Sequence, residues 1–162
     1  MGTSYIGLGA NLGDRSEMLD WAVERLGAIG TVDAVSPVYE TEPLHVVDQP
    51  RFLNAVARVQ TGLRPESVLA GLLAIELDAG RTRSVRHGAR TLDLDLLLYD
   101  DHIIQTPDLT LPHPRLHERA FVLIPLADLA SDLVIPGHNA TVAELLTHLD
   151  QSDGVVPFRP SG

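Results

Sequence analysis

The chain has 162 residues, 44% of them hydrophobic, and this length and composition predict one globular domain spanning residues 1–162. Its formal net charge of −10 argues against binding to nucleic acid or to anionic membranes. No run of 18 apolar residues is present, and residues 1–10 lack the basic start of a secretory signal. Cysteine is absent, which excludes disulfides and thiolate metal sites and fits a cytoplasmic location. We also expect the protein to be a monomer.

The amino-terminal segment predicts a strand, a glycine-rich connection and a helix. Residues 4–8 form a short apolar run typical of a strand, and glycines follow at positions 7, 9 and 13. A glycine-rich loop before a helix can cradle phosphate, but the same glycines also suit a plain strand-to-helix turn. Apolar residues recur with helical spacing over residues 15–26, with Asp14 as the expected N-cap. Residues 31–38 predict a second strand.

The middle of the chain predicts a long loop, a strand and a second helix. We expect residues 39–50 to form a loop, because Pro43 and Pro50 oppose regular structure, and loops of this length are often functional. The strand at residues 51–61 places Asn54 among apolar side chains. This asparagine is either a structural one with satisfied hydrogen bonds or a donor–acceptor pair that recognises the edge of a heterocycle. The second helix is predicted over residues 65–78 and is expected to end at Gly80.

The carboxyl-terminal third predicts short elements. His113 lies between two prolines and would by itself be a turn residue. Thr141 and Glu144 form a capping-box pattern at the start of a helix, and residues 155–158 predict a last strand. Because a loop joins the second and third strands, the sheet is predicted to be mainly antiparallel. The predicted fold is an α+β ferredoxin-like sandwich with helices packed on one face.

Residues 91–99 carry the most informative pattern in the chain. Leucines alternate there with polar residues, which predicts a half-buried strand with Asp93 and Asp95 on the same face. Two carboxylates at roughly 6 Å repel by about 3 kcal/mol at an effective dielectric of about 20. A Mg²⁺ ion would offset this repulsion, and four arginines within residues 81–90 suit phosphate oxygens. The pattern therefore indicates either a phosphoryl-transfer site or an exposed edge strand with solvated charges.

Several motifs resemble one family of enzymes. The segment Gly88-Ala-Arg-Thr-Leu-Asp-Leu-Asp-Leu-Leu-Leu closely resembles the signature of the 6-hydroxymethyl-7,8-dihydropterin pyrophosphokinases of the folate pathway. Further matching segments occur in the same order at residues 9–14, 49–55, 75–83 and 112–126. The resemblance implies that the β,γ-diphosphate of ATP moves to the hydroxymethyl group of the dihydropterin, leaving AMP. It also implies a ferredoxin-like fold and two Mg²⁺ ions.

The resemblance also implies roles for individual residues. Asp93 and Asp95 would hold the metal ions, and they would form the catalytic group together with Arg81 and Arg90. The residues expected to bind ATP are Leu69, Glu76, Arg81, Arg83, Arg86, Leu96, His113 and Arg119. The residues expected to bind the pterin are Thr41, Glu42, Leu44, Phe52, Asn54, Asp93 and Phe121, with Phe52 and Phe121 as the two aromatic walls.

Two other classes of protein share parts of this pattern. A metal-dependent phosphohydrolase could use the same two aspartates, but it would need an activated water and would release inorganic phosphate. A non-catalytic module of the same fold would bind a small molecule without turnover. A module without turnover would not need arginines beside paired aspartates.

Overall fold

We describe the protein from a computed structural model that covers residues 1–10, 15–41, 52–82, 92–149 and 155–158. The helices are α1 (Arg15–Arg25), α2 (Pro65–Thr82), α3 (Ala120–Ala130) and α4 (Val142–Thr147). The longer strands are β1 (Gly2–Ala10), β2 (Thr31–Val35), β4 (Phe52–Thr61) and β5 (Leu92–Tyr99). The short strands are β3 (Tyr39–Thr41), β6 (Ile104–Gln105), β7 (Thr110–Leu111), β8 (Val134–Ile135), β9 (Ala140–Thr141) and β10 (Val155–Pro157).

The central sheet has the strand order β10-β3-β4-β1-β5, and β2 pairs with a different part of β4 from β3. Every strand pair in it is antiparallel. The middle strand β1 pairs over its whole length with β4, from Gly2 opposite Thr61 to Ala10 opposite Leu53. The predicted α+β sandwich with a mainly antiparallel sheet is therefore confirmed.

One face of the sheet is covered by α1 and α2. Ile6 and Leu8 of β1 contribute to this core, and Leu92, Leu94 and Leu96 of β5 join them in the same cluster. The period-two alternation of leucines in β5 explains this placement, since residues i, i+2 and i+4 of a strand share one face. Met18, Leu19 and Ala22 of α1 and Val68, Leu72 and Ile75 of α2 complete the core.

Helices α3 and α4 form a second core on the opposite face, so the prediction that helices pack on one face was wrong. Tyr5 of β1, Val56 of β4 and Leu98 of β5 meet the buried side of α3 there. These three residues are register partners or near neighbours across the strands, and they point away from the first core. The mainly apolar sequence of α3 gives it a buried side that matches this patch. The second core covers only one end of its face.

Several predicted boundaries differ from the structure, and the second strand, expected over residues 31–38, is Thr31–Val35. β1 continues to Ala10, so Gly7 and Gly9 lie inside a strand and form no phosphate-cradling loop. Tyr39–Thr41, expected in a loop, forms β3 because it pairs with Phe52–Asn54 of β4. Helix α2 runs through Gly80 to Thr82. A glycine costs a helix only about 1 kcal/mol, and Ala79, packed in the first core beside it, favours continuation.

The predicted capping box of α4 is confirmed. The Thr141 hydroxyl oxygen accepts a hydrogen bond from the Glu144 N–H at 3.1 Å, and the Glu144 carboxylate accepts one from the Thr141 N–H at 2.9 Å. The predicted last strand is confirmed as β10, which pairs with β3. In the part of the chain described above, no helix is long and apolar enough to cross a membrane.

Candidate active site

The uncovered end of the second face carries two parallel rows of residues across three strands. In the first row Asn54 of β4 lies opposite Gly9 of β1, which lies opposite Asp93 of β5. In the second row Gly7 takes the central position opposite Asp95. Directly paired residues of antiparallel strands point to the same face. The two aspartates and the asparagine therefore share one open surface, with glycines between them.

The predicted placement of the two aspartates is confirmed. Asp93 and Asp95 are both half-buried, whereas the leucines that alternate with them are buried in the first core. Among the described residues, no group of three or more histidine, aspartate or glutamate side chains is arranged to hold a metal ion. Two carboxylates on one face nevertheless fit Mg²⁺, because this ion usually takes one or two protein carboxylates and completes its shell with phosphates and water.

Two hydrogen bonds from other segments are made to the outer edge of β5 beside these aspartates. The Glu76 carboxylate of α2 accepts a hydrogen bond from the Leu94 N–H at 2.7 Å. Three residues further along, the Leu97 carbonyl accepts a hydrogen bond from the His113 N–H at 2.9 Å. An edge strand otherwise presents unpaired backbone groups. Glu76 and His113, which make these two hydrogen bonds, are both candidates for binding ATP.

His113 is held near Asp95 in a neutral form. Burial lowers its pKa, the nearby Asp95 carboxylate acts in the opposite direction, and Arg119 and Arg115 lower the pKa further. Its Nδ1 accepts a hydrogen bond from the Arg115 N–H at 3.2 Å, so Nε2 carries the proton of the neutral ring. The structure thus brings His113, Asp95 and Arg119 together, and gives His113 an N–H donor.

Arg119 and Phe121 meet at the start of α3. The Arg119 guanidinium lies over the Phe121 ring, with 5.6 Å between the guanidinium carbon and the ring centroid. Arg119 is also the residue that precedes the first turn of α3. A candidate for phosphate binding and a candidate for pterin stacking are therefore held in contact by a cation–π interaction.

On the β4 side, Asn54 is held by Thr41. The Asn54 Nδ2 donates a hydrogen bond to the Thr41 hydroxyl oxygen at 2.7 Å, and Asn54 is only 7% exposed. Thr41 lies opposite Phe52 across β3 and β4. The structure thus brings Thr41, Phe52 and Asn54 together, three of the predicted pterin-binding residues.

Leu69 and Leu96 do not share the open surface. Leu96 is buried in the first core at 4% exposure, and Leu69 of α2 packs against the same core. They lie on the helix-covered side of β5, across the sheet from the aspartates.

The remaining candidates fall outside the description. Glu42, Leu44, Arg83, Arg86 and Arg90 are not among the described residues. Arg81 belongs to α2 by its backbone, but its side chain is not described.

Sequence reasoning missed two features of the site. It assigned no position in the pocket to Gly9, because a glycine two residues from the end of an apolar run looks like the start of a turn. It also missed the hydrogen bond from the Tyr39 hydroxyl to the Asp128 carboxylate, which joins β3 to α3. This bond raises the pKa of Tyr39 to about 12. The sequence carried no local signal for the place of Gly9, because it depends on the register in which β1 pairs with β4.

In this α+β fold, paired carboxylates on one face of the sheet with a histidine and an arginine close to one of them suit an enzyme that transfers phosphoryl groups. Residues 5–131 match the family described as 7,8-dihydro-6-hydroxymethylpterin-pyrophosphokinase. The chain belongs to this family, as its motifs predicted.

Two relatives agree with this family, and a solved structure shares the fold of the chain. The chain is 49% identical over 135 residues to 2-amino-4-hydroxy-6-hydroxymethyldihydropteridine pyrophosphokinase of Pseudomonas aeruginosa, covering 82% of this chain and 83% of the relative. It is 45% identical over 154 residues to the protein of that name from Methylorubrum extorquens, covering 94% and 96%. A crystal structure of Plasmodium falciparum HPPK-DHPS superimposes with a TM-score of 0.75 at 15% identity, over 90% of this chain and 45% of that chain. The chain thus spans less than half of that longer protein, and the superposition concerns the fold alone.

Proposed function

We propose that this protein transfers the diphosphate of ATP to the hydroxymethyl group of 6-hydroxymethyl-7,8-dihydropterin, giving AMP and the pterin diphosphate, in folate biosynthesis. Membership of the pyrophosphokinase family supports this activity. The observation that carries the proposal is the first row of the open face, where Asn54 and Asp93 flank Gly9 on neighbouring strands. A heterocycle held at Asn54 then has its substituent next to the carboxylates.

At the pterin end, Asn54 supplies the polar recognition. Its Nδ2 is engaged by Thr41, so its Oδ1 is available to accept a hydrogen bond from the ring edge. Phe52 and Phe121 are the proposed stacking walls, because aromatic faces pair favourably with a flat heterocycle. Glu42, Leu44 and Asp93 complete the proposed pterin-binding set together with Thr41, Phe52, Asn54 and Phe121.

At the ATP end, the adenine is proposed to lie along the outer edge of β5. The Leu94 N–H points outward to Glu76, and Leu96, two residues further on, directs its backbone the same way. Because the Leu96 side chain is buried, we propose that Leu96 contacts the base through its backbone. Leu69 and Glu76 of α2 flank this edge. The phosphates then extend toward Arg81, Arg83, Arg86, Arg90, His113 and Arg119.

Asp93 and Asp95 are proposed to hold two Mg²⁺ ions, which when bound would neutralise charge on the phosphates and orient the pterin hydroxyl. Carboxylate oxygens are the ligands this ion prefers, and the half-buried pair suits it. Side chains of the protein supply the remaining hydrogen bonds and positive charges. His113 donates its Nε2–H to a phosphate oxygen as a neutral ring, and Arg81, Arg90 and Arg119 stabilise the charge of the transferred group. Phosphoryl transfer depends mainly on positioning and electrostatics, so no dedicated general base is required.

We also propose that residues 1–162 form a single domain. Support comes from the central sheet, which contains both β1 and β10, the first and last strands of the chain. The monomeric state and the cytoplasmic location stay predictions from the sequence.

The test is an analysis of nucleotide products. The protein is incubated with Mg²⁺ and ATP, with and without 6-hydroxymethyl-7,8-dihydropterin. AMP formed only when the pterin is present, in equal amount to the pterin diphosphate, is the expected result. Release of ADP or inorganic phosphate would indicate a kinase or a phosphohydrolase and would contradict the proposal.

A further inference from the structure

Gly9 is buried and lies between Asn54 on one side and the half-buried Asp93 on the other. Its register partners are Asn54 on β4 and Asp93 on β5. Neighbouring strands lie about 4.8 Å apart, so the distance from Asn54 to Asp93 across Gly9 is roughly 10 Å. Any ligand that reaches from Asn54 to Asp93 must therefore lie directly against Gly9.

The space above Gly9 is already limited. A methyl group added at Gly9 would lie 3.2 Å from the Asn54 Oδ1 and 3.8 Å from the Phe52 Cδ1. The first distance is tighter than an ordinary contact, so the amide oxygen would have to move by a few tenths of an ångström. Asn54 has little freedom to do so, because its Nδ2 is hydrogen-bonded to Thr41 and the residue is buried. The added methyl group would therefore crowd the Asn54 Oδ1, the amide atom that is not engaged in the bond to Thr41.

Gly7 offers a matched comparison on the same strand and the same face. The nearest atoms to a methyl group there belong to the Leu97 side chain, at an ordinary contact distance of 3.5 Å. Its register partner on β4 is the apolar Val56. Neither glycine has the positive φ angle that would strain a side chain, so alanine is compatible with the backbone at both positions.

We propose that Gly9 is a specificity-determining residue for the pterin ring: its missing side chain lets the ring lie flat on β1 with its edge at the Asn54 Oδ1. This inference rests on the proposed function, and it adds a residue to which neither the chemistry of a side chain nor a family motif assigned a role in the pocket. A side chain at Gly9 would lift the ring off the sheet and away from the Asn54 oxygen, whereas one at Gly7 would not.

The experiment compares Gly9→Ala with Gly7→Ala by calorimetric binding of the pterin and, separately, of Mg²⁺–ATP. We expect Gly9→Ala to weaken pterin binding by about tenfold, the loss expected for one hydrogen bond. We expect its ATP affinity and its melting temperature to stay within error of wild type. Gly7→Ala should bind the pterin as wild type does, and it serves as a control for pterin binding alone, because Gly7 lies opposite Asp95. Wild-type pterin affinity in Gly9→Ala would overturn the inference, and so would equal losses in the two variants.

A second comparison keeps the inference testable should Gly9→Ala perturb folding. On an Asn54→Ala background, the methyl group at Gly9 no longer meets an amide oxygen. Gly9→Ala should then change pterin binding by less than twofold, and a full tenfold loss on that background would overturn the inference. The proposed function is judged separately on the wild-type protein, and it fails if that protein forms no AMP with the pterin or releases ADP or inorganic phosphate instead.

Discussion

Glu76 makes a hydrogen bond to β5, the strand that carries the two proposed metal ligands. Its carboxylate accepts the N–H of Leu94, which lies between Asp93 and Asp95. A hydrogen bond to a charged acceptor contributes about 1.5–3 kcal/mol, and water can replace part of it at a sheet edge. We therefore expect Glu76→Ala to lower the free energy of unfolding by about 1–2 kcal/mol. Glu76→Gln keeps a carbonyl acceptor and should lose roughly half as much.

The same substitution should raise the Mg²⁺ requirement of the enzyme. Without the anchor at Leu94, the edge strand moves more freely and the two flanking carboxylates lose their fixed spacing. We expect the Mg²⁺ concentration for half-maximal AMP formation, at saturating ATP and pterin, to rise several-fold in Glu76→Ala and less in Glu76→Gln. Urea unfolding and a Mg²⁺ titration measure the two effects.

The matched control is Glu66→Ala, in the first turn of the same helix. Glu66 is exposed and its nearest cationic partner, Arg64, is 3.9 Å away, so its removal should cost less than about 0.5 kcal/mol. The reasoning would be refuted if Glu76→Ala matched Glu66→Ala in both stability and Mg²⁺ requirement. A change in the KM for ATP alone, equal in Glu76→Ala and Glu76→Gln, would instead mean that Glu76 acts only by direct contact with the nucleotide.

Three further substitutions have defined outcomes. Asp95→Ala should fold with a normal circular dichroism spectrum but lose most AMP formation. Tyr39→Phe removes the hydrogen bond to Asp128 and should cost at most about 1 kcal/mol of unfolding free energy. The raised pKa of Tyr39 makes this contribution fully present below pH 10 and lost as the pH rises toward about 12, as unfolding at both pH values would reveal. Thr141→Ala removes the cap of α4 and should cost about 1 kcal/mol in urea unfolding at pH 7. Because Thr141 lowers the pKa of Glu144, the loss should shrink as the pH falls through that pKa.

The first two of these substitutions have controls elsewhere in the chain. Asp101→Ala removes an exposed carboxylate beyond the end of β5 and should leave turnover unchanged. Tyr99→Phe removes a tyrosine hydroxyl that donates to the Leu63 carbonyl, remote from α3, and should show no coupling to Asp128→Asn. Strong turnover in Asp95→Ala with Mg²⁺ present would contradict the metal assignment. Additive effects of Tyr39→Phe and Asp128→Asn would contradict the proposed pairing of their side chains.

Local patterns determined several features of this protein without help from its fold. The alternation of leucine and aspartate placed Asp93 and Asp95 on one face because the side-chain period of a strand is two. The capping box of Thr141 and Glu144 depends on residues three apart, which meet in any helix that begins there. The family motifs pointed to the activity and to the residues expected to carry it.

Tertiary contacts decided the features that join distant segments. No local pattern predicts that Gly9 faces Asn54, because that register depends on pairing β1 with a strand more than forty residues away. Tyr39–Thr41 became a strand for the same reason, since a three-residue segment is stabilised only by its partner β4. Gly80 stayed helical because its neighbour Ala79 packs in the core, where burial outweighs glycine's weak helix propensity.

The same distinction between local pattern and tertiary contact applies to the candidate active site. The sequence determined which polar groups are available: two aspartates on one strand, an asparagine on another, and a histidine between prolines. The fold decided which of them meet, because the hydrogen bond from Leu94 to Glu76 and the burial that lowers the pKa of His113 both join segments far apart in the chain. Short-range periodicity acts within one element, whereas register and burial exist only once the elements have packed together.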